Sequence, residues 1–145
     1  MKMKVKKLIP EAKMPTYGSP FSAGADLYAV PGEPIRIPSG KTVLIHTGIA
    51  MEIPEGYGGF LYARSGLATK KGLAPANKVG VIDADYRGEI MVALHNHGSE
   101  DQTVEGGERI AQLVIAPFLK GEFLESECLD ETLRGEGGFG STGTK

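Results

Sequence analysis

The sequence predicts an all-β domain, a barrel or a sandwich, on three observations. Its 21 glycines and 9 prolines punctuate the chain at short intervals. The stretches between them are short and rich in β-branched residues, and turn signals recur roughly every eight to twelve residues. Strands are expected at Val5–Ile9, Ala25–Ala29, Ile35–Ile37, Thr42–Glu52, Gly59–Ala63, Gly80–Ile82, Glu89–Asn96, Arg109–Pro117 and Phe123–Glu127. Thr42-Val-Leu-Ile-His-Thr-Gly-Ile-Ala-Met is read as strand because β-branched side chains lose rotamer freedom in a helix. One helix is expected, Ser65–Lys71, with Ser65 as its cap and Gly72 as its stop.

The bulk properties bound the function. At 145 residues the chain makes one domain with a core of its own, and 41% hydrophobic with 23% charged residues is ordinary for a globular protein. A net charge of −2 argues against a general nucleic-acid binder, so any polyanion it handles is small and held by a few placed cations. The single cysteine, Cys128, cannot form an intrachain disulfide, which makes a cytoplasmic location the default. The basic start, Met1 to Lys7, is followed by Leu8-Ile9 and then Pro10, too short an apolar run for a membrane span.

Four stretches carry chemistry. The first is Arg134-Gly-Glu-Gly-Gly-Phe-Gly-Ser-Thr-Gly-Thr-Lys145, where glycines let backbone N–H groups approach an anion. Arg134 adds a cationic fork, Ser141 and Thr142 add hydroxyls, and Phe139 adds a flat apolar face. Gly135-x-Gly137-x-x-Gly140 matches a dinucleotide fingerprint, yet it opens no helix of a βαβ unit. Gly138-x-x-x-x-Gly143 is followed by Thr144-Lys145, the reverse of the P-loop order. The run is therefore read as a mobile arm that orders over a ligand.

The second stretch, Gly80-Val-Ile-Asp-Ala-Asp-Tyr-Arg-Gly88, reads as a hairpin tip bearing more ionisable groups than a turn needs. A carboxylate fixed by a buried strand suits activation of water, and a tyrosine beside it suits packing on a ligand. The third, Arg64-Ser65-Gly66, offers free N–H groups and a guanidinium to an anion. The fourth is Gly107-Glu-Arg-Ile-Ala-Gln112. There alternation puts Ile110 and Gln112 on one face, and an inward glutamine needs a partner, most simply backbone. His95 and His97 share a strand face but lack a third metal ligand, and Cys128 has no basic neighbour to activate it.

Together with Ala23-Gly-Ala-Asp-Leu-Tyr-Ala29, these stretches make the chain resemble the trimeric dUTPases, the deoxyuridine 5′-triphosphate nucleotidohydrolases. Five motifs occur in order: Ala23–Ala29, Arg64–Ala68, Gly80–Gly88, Gly107–Gln112 and Arg134–Gly143. Glu108, where many relatives carry aspartate, is a small departure. The resemblance implies a distorted antiparallel β-barrel, jelly-roll-like, over residues 1–133, closed by a C-terminal arm over 134–145. It implies Mg²⁺-dependent hydrolysis of dUTP to dUMP and pyrophosphate, which limits uracil incorporation into DNA and supplies dUMP for dTMP synthesis.

By the same resemblance Asp83 activates the water that attacks the α-phosphorus, and Tyr86 lies against the deoxyribose and excludes a 2′-hydroxyl. Asn77, Val81, Ile82 and Met91 line the uracil slot. Arg64, Ser65, Gly66 and Gln112 grip the phosphates. Arg134, Gly140, Ser141 and Thr142 close from the arm, with Phe139 stacked over uracil. Mg²⁺ is held by phosphate oxygens and water, with Asp26 in a supporting, water-mediated link. The family is homotrimeric, each site composed from three chains, and it involves no nucleic acid and no membrane. Two rival readings are a dCTP deaminase, separable by ammonia rather than pyrophosphate release, and a non-catalytic nucleotide sensor, which would not need Asp83.

Overall fold

The structure, a computed structural model of the chain, describes residues 1–139. In chain order it contains β1 (Lys4–Lys7), β2 (Thr16–Tyr17), β3 (Ala25–Tyr28), β4 (Ile35–Ile37), β5 (Thr42–His46), β6 (Ile49–Glu52), β7 (Tyr57–Tyr62), α1 (Ser65–Lys71), β8 (Leu73–Pro75), β9 (Gly80–Ile82), β10 (Met91–Asn96), β11 (Gln102–Val104) and β12 (Arg109–Pro117). The largest sheet has the order β2-β3-β12-β7-β9; the others are β5-β10-β8, β1-β6 and β11-β4. The fold is all-β and jelly-roll-like, its wall assembled from four sheets rather than one closed ladder.

All four sheets send side chains into one core. Leu27 of β3, Ile37 of β4, Ile45 of β5, Ile49 of β6, Leu73 of β8, Leu94 of β10, Val104 of β11 and Ile110 of β12 are fully buried there. Burial of that many aliphatic side chains supplies the main driving force for the fold, roughly 1.5–3 kcal/mol each before chain entropy is subtracted. Polar groups inside are satisfied. Asn96, fully buried, donates from Nδ2 to the carbonyls of Ile37 and Glu100 and accepts from the N–H of Gly98.

Three expectations are corrected. The long strand expected over Thr42–Glu52 breaks at Thr47-Gly48, where Gly48 takes a left-handed φ of 68°. The break lets β5 pair with β10 while β6 pairs with β1. Phe123–Glu127 forms no strand: it pairs with no strand among the described residues, and its side chains are exposed. Ser65 does not cap α1: the N-cap position belongs to Arg64, whose backbone is extended (φ −86°, ψ 127°), without a side-chain capping bond. The helix does run Ser65–Lys71 and stops at a left-handed Gly72. Among the described residues no helix is long and apolar enough to cross a membrane.

Candidate active site

The first site forms where three neighbouring strands of the large sheet end. On β12, Gln112 lies opposite Asp26 of β3 on one side and Tyr62 of β7 on the other. Arg64 follows β7 directly, so its guanidinium swings across to Asp26, with Nε 2.7 Å from Oδ1. Arg109 at the start of β12 reaches the other oxygen, Nη1 to Oδ2 at 3.2 Å. One largely buried carboxylate thus orients two arginines and neutralises one of their two charges, leaving a net positive site.

Asp26, Arg64, Arg109 and Gln112, with Gly18, Ser22, Ala23, Gly24, Ser65 and Gly66, line a cavity of about 360 Å³. Gln112 donates from Nε2 to the carbonyl of Ala63 at 2.9 Å, so its expected backbone partner is found. Its expected face is not. A β-bulge between Arg109 and Ala111 breaks the alternation, so Ile110 and Ala111 are both buried and Gln112 turns to the cavity.

The second site lies along the connection from β9 to β10. The expected hairpin is corrected here: β9 pairs with β7, and β10 pairs with β5 and β8, so Asp83–Ile90 crosses between two sheets. A cavity of about 260 Å³ opens under that crossing, lined by Leu44, Leu61, Asn77, Gly80, Val81, Ile82, Asp83, Tyr86, Glu89, Ile90 and Met91. Val81, Tyr86 and Leu44 are apolar or aromatic yet well exposed at its rim, which leaves an apolar wall for a flat ligand.

Asp83 is exposed at the loop's start, and its carboxylate has no hydrogen-bond partner among the described residues. Its backbone carbonyl accepts from the N–H of Tyr86 at 3.1 Å, closing a tight turn that fixes its direction. Glu89 is the site's other acid. Burial pushes its carboxyl up, but hydrogen bonds from His46 and from the N–H of Gly48 outweigh that and hold it below the usual carboxylate range.

The structure therefore collects Arg64, Ser65, Gly66, Gln112 and Asp26 in one cavity, and Asn77, Val81, Ile82, Asp83, Tyr86 and Met91 in another, with no lining residue in common. In the arm, Arg134 donates from Nε to the carbonyl of Gly137 at 2.7 Å, and Phe139 is fully exposed; both stand apart from the two cavities. Gly140, Ser141 and Thr142 lie outside the described residues. Arg109 was not expected in the site. Its signal was a cation inside Gly107–Gln112, hidden because only the bulge shows which way it points.

A family model described as dUTPase matches residues 10–143. The deoxyuridine 5′-triphosphate nucleotidohydrolase of Desulfitobacterium hafniense is 56% identical over 132 residues, covering 90% of this chain and 87% of that protein. The chain belongs to the dUTPase family. Membership makes it a hydrolase. Among solved structures, a dUTPase of Staphylococcus bacteriophage 80alpha with dUpNHpp superposes with a TM-score of 0.88 at 30% identity, over 99% of each chain. A dUTPase of phage phi11 of S. aureus, described with a structural Mg(II) ion, superposes with a TM-score of 0.78 at 27% identity, over 88% of this chain and 97% of that one.

Proposed function

We propose that this dUTPase hydrolyses dUTP to dUMP and pyrophosphate, with Asp83 activating the attacking water, in sites composed between the chains of a homotrimer. The observation that carries the reading is the division of labour between the two cavities. One is cationic, with Arg64, Arg109, Ser65 and Gln112, and has no apolar slot for a base. The other has the apolar slot and the carboxylate, and no arginine or lysine to hold a triphosphate. Each is half of a nucleotide site, and a second copy supplies the missing half.

In that arrangement uracil enters between Val81, Ile82 and Met91, with Asn77 and nearby backbone groups reading its edge. A site built to pair uracil's donor and acceptor order leaves buried polar groups unpaired against cytosine. Tyr86 lies against the deoxyribose. Arg64, Arg109, Ser65, Gly66 and Gln112 of a neighbouring copy hold the phosphates, and Arg134, Phe139, Gly140, Ser141 and Thr142 close from the arm (residues 134–145) over the base and the phosphates, while residues 1–133 form the domain. The carboxylate of Asp83 takes a proton from water as its oxygen bonds to the α-phosphorus. The α–β anhydride bond breaks, and its electron pair leaves on pyrophosphate.

The donor set fits a metal that arrives with the substrate. Among the described residues no three carboxylates, histidines or cysteines cluster as ligands, and both oxygens of Asp26 are engaged by arginines. Mg²⁺ would be held, as the resemblance implies, by phosphate oxygens and water, where it would supply charge neutralisation. The role of Asp26 becomes orientation of Arg64 and Arg109. The reaction would serve a cytoplasmic nucleotide pool, limiting uracil in DNA and supplying dUMP for dTMP synthesis.

Pyrophosphate release from dUTP, dTTP, dCTP and UTP, with and without Mg²⁺, tests the reading. Release from dUTP alone, lost without the metal, is expected. Asp83→Asn should keep dUTP binding and lose about 10²–10⁴ in kcat, the usual contribution of a positioned general base. Near-native turnover in that variant would refute the role given to Asp83.

A further inference from the structure

We infer that Glu89 and His46 are a positioning pair for Tyr86, and through it set discrimination at the 2′ position of the sugar; this rests on the nucleotide reading above. The Asp83–Gly88 loop is otherwise held by local bonds. Tyr86 N–H donates to Asp83, and Arg87 Nη1 donates to the carbonyls of Ala84 and Tyr86. Such bonds shape the loop without fixing where it sits.

Its anchor is at the far end. The Tyr86 ring folds back over Gly88, so closely that a methyl group on Gly88 would lie 2.4 Å from the phenolic oxygen and 2.6 Å from Cζ. The hydroxyl donates to the backbone carbonyl of Glu89 at 2.9 Å. The carboxylate of Glu89 then bridges to the bend between β5 and β6: Oε1 accepts from the Gly48 N–H at 2.8 Å, and Oε2 lies 2.9 Å from His46 Nδ1. A carboxylate only accepts, so His46 carries its proton on Nδ1. Two further bonds fix the same junction, Thr47 Oγ1 to the carbonyl of Ile90 and Ile90 N–H to the carbonyl of Ile49. Tyr86 is thereby tied to the rigid β5–β6 bend through Glu89, whose side chain makes two of the four bonds at that junction and the only two at the residue that accepts from the Tyr86 hydroxyl. Discrimination by collision depends on such a tie, because a ring free to retreat accommodates the extra hydroxyl.

Glu89→Ala removes the bridge and strands the Gly48 N–H. Glu89→Gln preserves it, its amide oxygen accepting from Gly48 and its NH₂ donating to the other tautomer of His46. The kcat/KM ratio for dUTP over UTP is measured in both, with NMR of ¹³C-labelled tyrosine ring carbons read alongside. Glu89→Ala should lower the ratio by about tenfold or more, with KM for dUTP rising more than kcat falls, and should move the Tyr86 signals. Glu89→Gln should restore both, and His46→Ala should reproduce the loss at smaller size and serves if Glu89→Ala does not fold. A folded Glu89→Ala protein with the native ratio and unmoved Tyr86 signals overturns the inference. Should the native protein leave dUTP intact, the functional reading fails separately, and the tyrosine signals alone decide whether Glu89 positions Tyr86.

Discussion

At Gly24 the backbone passes so close to Gln112 that a methyl group there would lie 2.6 Å from Oε1 and 3.1 Å from Cβ. Nothing in the local backbone demands glycine, whose φ is unexceptional; the neighbour's side chain does. Gln112 in turn is held in the cavity by one bond, Nε2 to the carbonyl of Ala63. The two facts couple a residue with no chemistry of its own to the proposed phosphate site. Gly24→Ala should push the Gln112 amide off its bond while leaving the core untouched. The expected result is a rise of about tenfold in KM for dUTP, the worth of one lost hydrogen bond, with kcat little changed. Isothermal titration with a non-hydrolysable dUTP analogue, alongside a melting curve, checks it. An unchanged affinity would mean that Gln112 does not touch the phosphates.

The short helix α1 is placed by its last residue rather than by its first. Lys71 Nζ lies 2.8 Å from Glu108 Oε1 and donates to the carbonyl of Thr103, while Glu108 Oε2 accepts from the N–H of Glu105. This clasp joins α1 to the turn before β12, so it holds Ser65 and Gly66 relative to Arg109. It also gives Glu108 a reach that the sequence alone did not explain. Burial raises the Glu108 carboxyl, but the bonds from Lys71 and Glu105 prevail and depress it below its ordinary value of 4.5. A depressed carboxyl contributes stability that is present above the unfolded pKa and is lost as pH falls through the folded one. Glu108→Gln should therefore cost about 1 kcal/mol at pH 7, a few degrees in Tm, and the gap to the native protein should close as pH drops below 4.5. A gap that stays constant with pH would remove the ionic part of the clasp. What was legible here follows from the same physics. The helix could be read from its glycine stop, though not from its cap, and the five motifs because their side chains lie within a few consecutive residues. The strands β2, β8 and β11, with two or three residues each, show no alternation of β-branched residues, whereas the equally short β4 has Ile35 and Ile37 alternating about Arg36. Arg109 was missed because alternation reports a side chain's face only along an unbroken ladder, and the bulge interrupts it. The partners of β9 and β10 were misjudged because proximity in sequence favours a hairpin, whereas β7 and β5 lie far back in the chain.

Among the described residues, the segment beyond β12 concentrates exposed apolar side chains. Beyond β12, Leu119, Phe123, Leu124, Leu129 and Leu133 are all strongly exposed, with Phe123 at 98%. The sequence reads Phe123–Glu127 as a strand, yet it finds no ladder among the described residues, and an isolated strand does not persist in water. Burying five such side chains against a partner would gain on the order of 10 kcal/mol. Contact with other copies in the proposed homotrimer would supply that burial, and the proposed sharing of sites between chains needs the same contact. The protein in solution should therefore have three times the 15.4 kDa chain mass by light scattering. Two truncations separate assembly from closure. Removal of the residues after Arg134 should leave that mass and the Tm unchanged while kcat collapses, since only the arm is lost. Removal of everything after Pro117 should abolish the assembly as well. A fully active protein lacking only the arm would show that the base and phosphates are enclosed without it, and a monomer with full activity would show that one chain suffices for both halves of the site.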